Sequence, residues 1–147
     1  MRAVGLVLRA IRPDERDFFF TVRRGAFRDY AEAAFGSWND VNQRAFADRD
    51  VVGLPFEIVE RDGTPIGYQL VERHPDHWFL DEIALADGER GRGIGTELVT
   101  AIMTAARAAG MPLRLSVLEV NPAQRLYARL GFRVTRVEPP RIKMEWP

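Results

Sequence analysis

The fold is decided by a glycine-rich stretch at residues 90–96, which reads Arg90-Gly91-Arg92-Gly93-Ile94-Gly95-Thr96. An apolar segment ends at Leu85 just before it and an amphipathic segment begins at Ile94, so the stretch joins a strand to a helix. Glycines permit a sharp turn and a close approach of the backbone to a ligand. The first amides of a helix lack intrahelical acceptors and carry the positive end of the dipole, which suits phosphate. The stretch predicts a phosphate-binding turn, although its glycines alone would also suit a turn without a ligand.

Two common kinds of phosphate site do not fit these residues. The loop of nucleotide hydrolases needs Gly-Lys-Ser/Thr, and the stretch contains no lysine. A dinucleotide fingerprint needs a third glycine where Thr96 stands, and it usually opens the first strand–helix–strand unit of a larger sheet. The stretch lies past the midpoint of a 147-residue chain, which leaves no room for such a sheet. A nucleotide-binding regulator is therefore disfavoured.

Two helices are expected in the second half of the chain. Ile94–Ala109 has apolar residues on one face at helical spacing, and Gly110 follows it as a C-terminal cap. Pro122–Leu130 predicts a shorter helix, with proline in its first turn and Gly131 closing it.

The segment Asp14–Asp50 is expected to be helical in two or three pieces. The signals within it are a cap at Asp14, breaks at Gly25 and Gly36, and a further cap at Asn39 or Asp40.

Seven short segments are expected to be strands, because they are apolar, β-branched or alternating. They are Val4–Ile11, Phe56–Glu60, Ile66–Arg73, Trp78–Leu85, Leu113–Leu118, Phe132–Val137 and Ile142–Trp146. Asp62-Gly63 predicts a hairpin turn, and Gly67 is a candidate bulge. The order of elements predicts one mixed α/β domain over residues 1–147, with an antiparallel first half and a strand–helix–strand unit in the middle.

Three motifs of the chain resemble the GNAT superfamily of acetyl-CoA-dependent N-acetyltransferases. The spacing Arg90, Gly93, Gly95 is similar to the pyrophosphate loop of that family, R/Q-x-x-G-x-G/A. Leu80–Leu85 looks like the strand before the loop, and Asn121–Phe132 looks like the family's second signature, N-x-A-x-x-L-Y-x-x-x-G-F. One departure is Asp87-Gly88, where the family often has Pro-Glu, and we expect it to alter only the entry into the loop.

The resemblance implies a GNAT-type mixed, largely antiparallel twisted sheet of six to seven strands, with a central splayed parallel pair flanked by helices. It also implies acetyl-CoA as co-substrate, with pantetheine between the splayed strands Trp78–Leu85 and Leu113–Leu118. The residues that the resemblance assigns to binding of acetyl-CoA are Ile83, Leu85, Arg90, Gly91, Arg92, Gly93, Ile94, Gly95, Thr96, Asn121 and Tyr127.

The implied reaction is direct attack of an amine on the thioester, and it has two proton tasks. The ammonium must lose a proton, because an alkylamine has a pKa of about 10.4, and the departing thiol has a pKa of about 8.5. Tyr127 matches the family's general acid, although its helical face would also suit a core residue. Glu82 is the first candidate for the base and Asp81 the second, with strand alternation placing them on opposite faces. A water chain, or a structural role for either carboxylate, stays open.

Two further groups of residues have weaker functional interpretations. His74 and His77 lie in a turn without a nearby third ligand, so we expect solvated side chains and no metal site. The stretch Phe35–Asp40 is a candidate lining of the acceptor pocket, although aromatic residues at such spacing usually belong to a core.

Composition narrows the class of protein further. Lys plus Arg and Asp plus Glu both number 21, which argues against a nucleic-acid partner. The chain has no cysteine, which excludes a thiolate nucleophile and fits a cytoplasmic location.

The first residues of the sequence form a short apolar run, which suits a strand better than a signal peptide or a membrane span. The last predicted strand favours a homodimer. The leading hypothesis is an N-acyltransferase; the alternative is a non-catalytic acyl-CoA-binding module of the same fold.

Overall fold

The computed structural model describes residues 5–147, which form a seven-stranded sheet with helices on both faces. The strands are β1 (Val7–Ala10), β2 (Glu57–Arg61), β3 (Thr64–Arg73), β4 (Trp78–Leu85), β5 (Leu113–Leu118), β6 (Arg133–Glu138) and β7 (Arg141–Trp146). The helices are α1 (Arg16–Phe35), α2 (Asp40–Gly53), α3 (Ile94–Ala108) and α4 (Ala123–Arg129), and a 3₁₀ turn at Pro13–Glu15 precedes α1. The element order agrees with the predicted mixed α/β fold.

The sheet is antiparallel except at its centre, where β4 and β5 run parallel. The strand order is β1-β2-β3-β4-β5-β7-β6. Pairing between β4 and β5 begins at Trp78 with Leu113 and ends at Leu80 with Leu115. The two strands then separate, so the predicted splayed parallel pair is confirmed.

The N-terminal helices differ from the prediction at two positions. Helix α1 runs unbroken through Gly25, and a Cβ there would lie 3.0 Å from Arg90 Nη2 and from Asp87 Oδ1. The predicted break was therefore wrong; the glycine gives space to the glycine-rich turn. Asp14 lies inside the 3₁₀ turn and does not cap a helix, because Glu15 supplies the carboxylate that accepts from the Arg12 amide.

The remaining signals in this region are confirmed. Gly36 ends α1 with a φ of +88°, a left-handed conformation that favours glycine. Asn39 caps α2 by accepting a hydrogen bond from the Asn42 amide at 3.0 Å. The first strand is shorter than the predicted Val4–Ile11: it covers Val7–Ala10, with Gly5 in a turn before it, and Val4 lies outside the described residues.

The hairpin between β2 and β3 contains both of its predicted features. Asp62 and Gly63 have φ values of 52° and 79°, as a tight hairpin turn requires. The β2–β3 register shifts beside Gly67, so a bulge lies at the adjacent Ile66. A Cβ on Gly67 would be 2.4 Å from the Ala84 carbonyl oxygen, so only glycine allows β3 and β4 to approach this closely.

Separate apolar cores cover the two faces of the sheet. On one face, Phe19 of α1 packs with Phe56 and Tyr68, at ring-centroid distances of 4.7 and 4.5 Å. On the other face, α3 buries Val99 and Ile102 against β5 and α4. The first turn of α3 joins a third cluster, in which Ile94 and Leu98 pack with residues of β2 and β3. Leu85, at the end of β4, packs against the same cluster. The residues on both sides of the glycine-rich turn are therefore held by apolar contacts.

Candidate active site

The centre of the site is the point where β4 and β5 separate. Leu80 and Leu115 are the last paired residues, so Asp81 and Ser116 begin the two sides of the gap. The β3–β4 register passes from Leu70 with Glu82 to Val71 with Leu80, which leaves Asp81 as the extra residue of a β-bulge. A β-bulge changes the direction in which the side chains beside it point. Here it affects Asp81 and the neighbouring Glu82.

The bulge changes the predicted positions of the two carboxylates. Simple alternation predicts that Asp81 and Glu82 lie on opposite faces, but the extra residue removes that alternation. Glu82 contacts Arg23 of α1, and Asp81 contacts Glu72, which lies two residues from the Leu70 that packs under α1. Both carboxylates therefore lie on the α1 side of the sheet, and the predicted separation was wrong.

Glu82 is held in an ion-pair network that joins the sheet to both N-terminal helices. Arg23 donates to its two carboxylate oxygens, from Nε at 3.0 Å and from Nη2 at 2.9 Å, and from Nη1 to Asp50 of α2 at 3.0 Å. The Tyr68 hydroxyl also donates to Glu82. Burial, followed by the charge of Glu82, raises the pKa of Tyr68 well above its usual value, so the hydroxyl stays a donor. The oxygens of Glu82 are thus occupied by donors of this chain.

Asp81, in contrast, has no arginine partner among residues 5–147 and lies at the edge of the sheet gap beside a second carboxyl group, Glu72. Desolvation, followed by its contact with Glu72, raises the pKa of Asp81 to about 7, and Glu82 adds to this shift while Arg23 opposes it. The contact with Asp81 lowers the pKa of Glu72, to which His74 also bonds at 3.0 Å. A carboxyl group that titrates near neutrality can accept a proton at the working pH of most enzymes.

The glycine-rich turn has the conformation that its sequence predicts. Gly91 and Gly93 have φ values of +74° and +81°, and Gly93 is the N-terminal cap of α3. Gly95 lies inside the helix, where a Cβ would meet only Leu126 Cδ2 at 4.0 Å. Packing among residues 5–147 therefore does not require a glycine at position 95. Its missing side chain leaves the surface beside the free amides of Ile94–Thr96 open.

The two arginines of the turn are exposed and paired with nearby carboxylates. Arg90 donates to Asp87 at 2.7 Å and to the Leu85 carbonyl at 3.2 Å. Arg92 lies 3.4 Å from Glu89. Asp87, the departure from the family motif, thus orients Arg90 against the end of β4.

The free backbone amides of β4 point into the gap. The Ala86 amide donates to the Ile66 carbonyl of β3 at 2.8 Å. Because amides alternate in direction along an extended strand, those of Leu85 and Ile83 point away from β3, toward the side where β5 has separated. They lie in the position that the sequence analysis gives to groups that pair with pantetheine.

Tyr127 and Asn121 both lie at α4. Tyr127 is 7% exposed and its ring packs edge-on against Phe132 at 5.7 Å, so it contributes to the core. Burial alone raises the pKa of its hydroxyl to about 12, which keeps the proton on the oxygen. Asn121 accepts a hydrogen bond from the Ala123 amide at 2.9 Å and so orders the first turn of α4.

An open cleft of about 910 Å³ lies on the sheet face opposite α3, beside the gap. Its wall includes Asp81, Ser116 and His77 together with cationic side chains of β5, β6 and β7. The stretch Phe35–Asp40 is not among the lining residues, since Phe35 is 57% exposed and Trp38 packs against the α1–α2 core. Among residues 5–147 no group of three ligands could hold a metal.

Several residues of this region are not among those predicted from the sequence. Ser116 lines the cleft and Glu72 lies beside Asp81, and both belong to predicted strands on which alternation could have indicated their face. Arg23 had no such signal, because its ion pair with Glu82 spans 59 residues of sequence.

Comparisons with known proteins agree with this geometry. The profile of the acetyltransferase (GNAT) family matches residues 15–132. An 81-residue segment is 42% identical to the mycothiol acetyltransferase of Nocardia farcinica; it covers 54% of this chain and 26% of that relative. The chain thus spans about a quarter of the length of that protein.

Solved structures show the same fold at low sequence identity. An acetyltransferase from Thermus thermophilus superposes with a TM-score of 0.75 at 19% identity, over 100% of this chain and 99% of that one. The PaiA N-acetyltransferase of Thermoplasma acidophilum, whose crystal structure holds coenzyme A, superposes with a TM-score of 0.72 at 18% identity, over 95% and 97% of the two chains. Within the described residues, no helix is long and apolar enough to cross a membrane.

Proposed function

This chain belongs to the acetyltransferase (GNAT) family, whose members use acetyl-CoA, and from that premise we propose that it acetylates a primary amine of a small molecule or peptide. The amine attacks the thioester directly in a ternary complex. Absence of cysteine from the chain is compatible with a reaction that forms no acyl-thiol enzyme.

The described residues fit acetyl-CoA at both ends of the gap. At the turn, the amides of residues 94–96 and the cations Arg90 and Arg92 would bind the pyrophosphate. The open backbone side of β4 would bind pantetheine through the amides of Ile83 and Leu85. Acetyl-CoA then supplies an activated acyl group to the point where β4 and β5 separate.

The proton tasks fall to two side chains on either side of that point. Asp81, beside Glu72, accepts one proton from the ammonium, and the neutral amine then attacks the thioester carbon with its lone pair. The nitrogen loses its second proton after the C–N bond has formed, which balances the proton that Tyr127 gives to the thiolate. As the C–S bond breaks, the thiolate takes its electron pair and receives the Tyr127 hydroxyl proton. We therefore assign the base to Asp81 in preference to Glu82, because the latter is occupied by Arg23 and Tyr68. Glu82 is a positioning residue that fixes the bulge against α1.

The observation that carries this proposal is the gap between β4 and β5, which runs from the carboxyl group of Asp81 to the glycine-rich turn at residues 90–96. The test is the release of free CoA thiol from acetyl-CoA over a panel of primary amines, with product mass measured in parallel. We expect amine-dependent release and N-acetylated product. Thermal stabilisation by acetyl-CoA without turnover on any amine would instead favour the non-catalytic binding module.

A further inference from the structure

A row of four polar side chains crosses the sheet on the cleft side, beginning at the proposed base. Asp81 and Ser116 follow the last paired residues of β4 and β5. Ser116 pairs with Lys143 of β7, and Lys143 pairs with Arg136 of β6. All four line the same cleft. Neighbouring strands lie about 4.8 Å apart, so the Lys143 backbone is at least about 10 Å from that of Asp81.

The far end of this row carries more positive than negative charge. Glu138 is the acceptor for two cations, with Arg136 at 2.8 Å and Lys143 at 3.6 Å. Arg141 lines the same region and forms no ion pair with any side chain of residues 5–147. Arg114 and Glu145 form an ion pair at 2.7 Å, so their charges cancel. The cleft therefore has a carboxyl group at the gap and a surplus of cations beyond it, in a chain whose total charges balance.

Ser116, between these two ends, has an unused hydrogen-bonding group. Its Oγ is fully buried and has no partner among the described residues. A buried polar atom without a partner is uncommon in folded proteins, because it loses its bonds to water without replacement. Ser116 lines the cleft between the carboxyl group of Asp81 and the cations of β6 and β7, so its backbone and Cβ form the wall there.

We propose that the acetyl acceptor is a small primary amine that also carries an anionic group, a carboxylate or a phosphate. Its amine lies at Asp81 and its anionic group binds Lys143 and Arg141, with the cleft wall at Ser116 between them. This inference rests on the proposed acetyl transfer, and it adds the class of acceptor. A cationic polyamine would place a second positive charge against the cations of β7.

The test compares matched acceptors that differ only in the anionic group. Amino acids are compared with their amides, and aminoalkyl phosphates with the corresponding amino alcohols, so that the two arms separate carboxylate from phosphate. We expect kcat/KM for the anionic member of one arm to exceed that of its neutral partner by at least tenfold. Equal use of neutral and anionic amines in both arms overturns the inference.

Variants of the cations identify the binding end. Lys143→Gln and Arg141→Gln should each raise KM for the anionic acceptor about tenfold, with little change for the neutral partner or for acetyl-CoA. Arg16→Gln is the control, because it removes one exposed charge at the start of α1, outside the cleft. Equal effects of all three variants would contradict the assignment.

A binding measurement separates this inference from the proposed reaction. Calorimetric titration of each amine into the protein saturated with CoA requires no turnover. Anionic amines should bind at least tenfold tighter than neutral ones, and Lys143→Gln should remove the difference. If no amine is acetylated, the proposed function fails, and this titration still decides whether the cleft selects anionic amines.

Discussion

Replacement of Glu82 by Gln separates a structural clamp from a catalytic base. The Arg23 side chain is 11% exposed and donates two of its three ion-pair hydrogen bonds to Glu82. Loss of one partner of a buried pair costs about 3–5 kcal/mol, and we expect the low end, about 3 kcal/mol, because Asp50 remains paired. For a chain of this length that corresponds to a fall of roughly 10 °C in Tm.

The assay is urea unfolding followed by circular dichroism, with turnover measured on the folded fraction. Asp81→Asn is the matched control, since it removes an adjacent carboxylate that has no arginine partner and should leave the fold intact. We expect Glu82→Gln to lose stability and to keep most of its turnover, whereas Asp81→Asn keeps stability and loses turnover by roughly a hundredfold or more. A Glu82→Gln protein of normal stability with turnover reduced a hundredfold would refute this reasoning and restore Glu82 as the base.

Three other predictions test the remaining parts of the site. Tyr127→Phe should cost less than about 1 kcal/mol of stability, because the hydroxyl has no hydrogen-bond partner among residues 5–147, but should lower kcat roughly a hundredfold; normal kcat would leave Tyr127 as a core residue. Gly95→Val should fold normally, since a Cβ meets only Leu126 at 4.0 Å, and should weaken acetyl-CoA binding by calorimetry; unchanged affinity would exclude this turn as the phosphate site. The raised pKa of Asp81 means that the folded state binds more protons, so this group's contribution to stability declines as pH rises from about 4 through about 7. Asp81→Asn should therefore gain relative stability above pH 7 and lose the rise in kcat/KM near that pH, and an unaltered pH profile would contradict the role as base.

The sequence predicted those parts of the fold that depend on local signals. Strand and helix positions followed from periodicity, and the hairpin at Asp62-Gly63 followed from its required positive φ values. Gly25 shows the limit, because a helix tolerates glycine at a cost of about 1 kcal/mol, and the reason for it lies in a distant loop. The residues around Gly25 in the sequence do not indicate its contact with Asp87 and Arg90.

In the candidate site, the conformation of the glycine-rich turn could be predicted from sequence, but the positions of the two carboxylates could not. The positive φ values of Gly91 and Gly93 agree with the predicted turn. The β-bulge at Asp81 depends on the register between β3 and β4, which residue types alone do not determine. The assignment of the proposed base to Asp81 therefore depends on tertiary contacts, above all on the occupation of Glu82 by Arg23.

The most direct test of the central claim is a single-turnover reaction with acetyl-CoA labelled in the acetyl group, with protein in excess. The account predicts that the label stays on CoA until an amine is added and then passes to the nitrogen of that amine, with the protein unlabelled throughout. Label that becomes attached to the protein before an amine is present, or that never leaves CoA with any acceptor, would contradict direct acetyl transfer at this site.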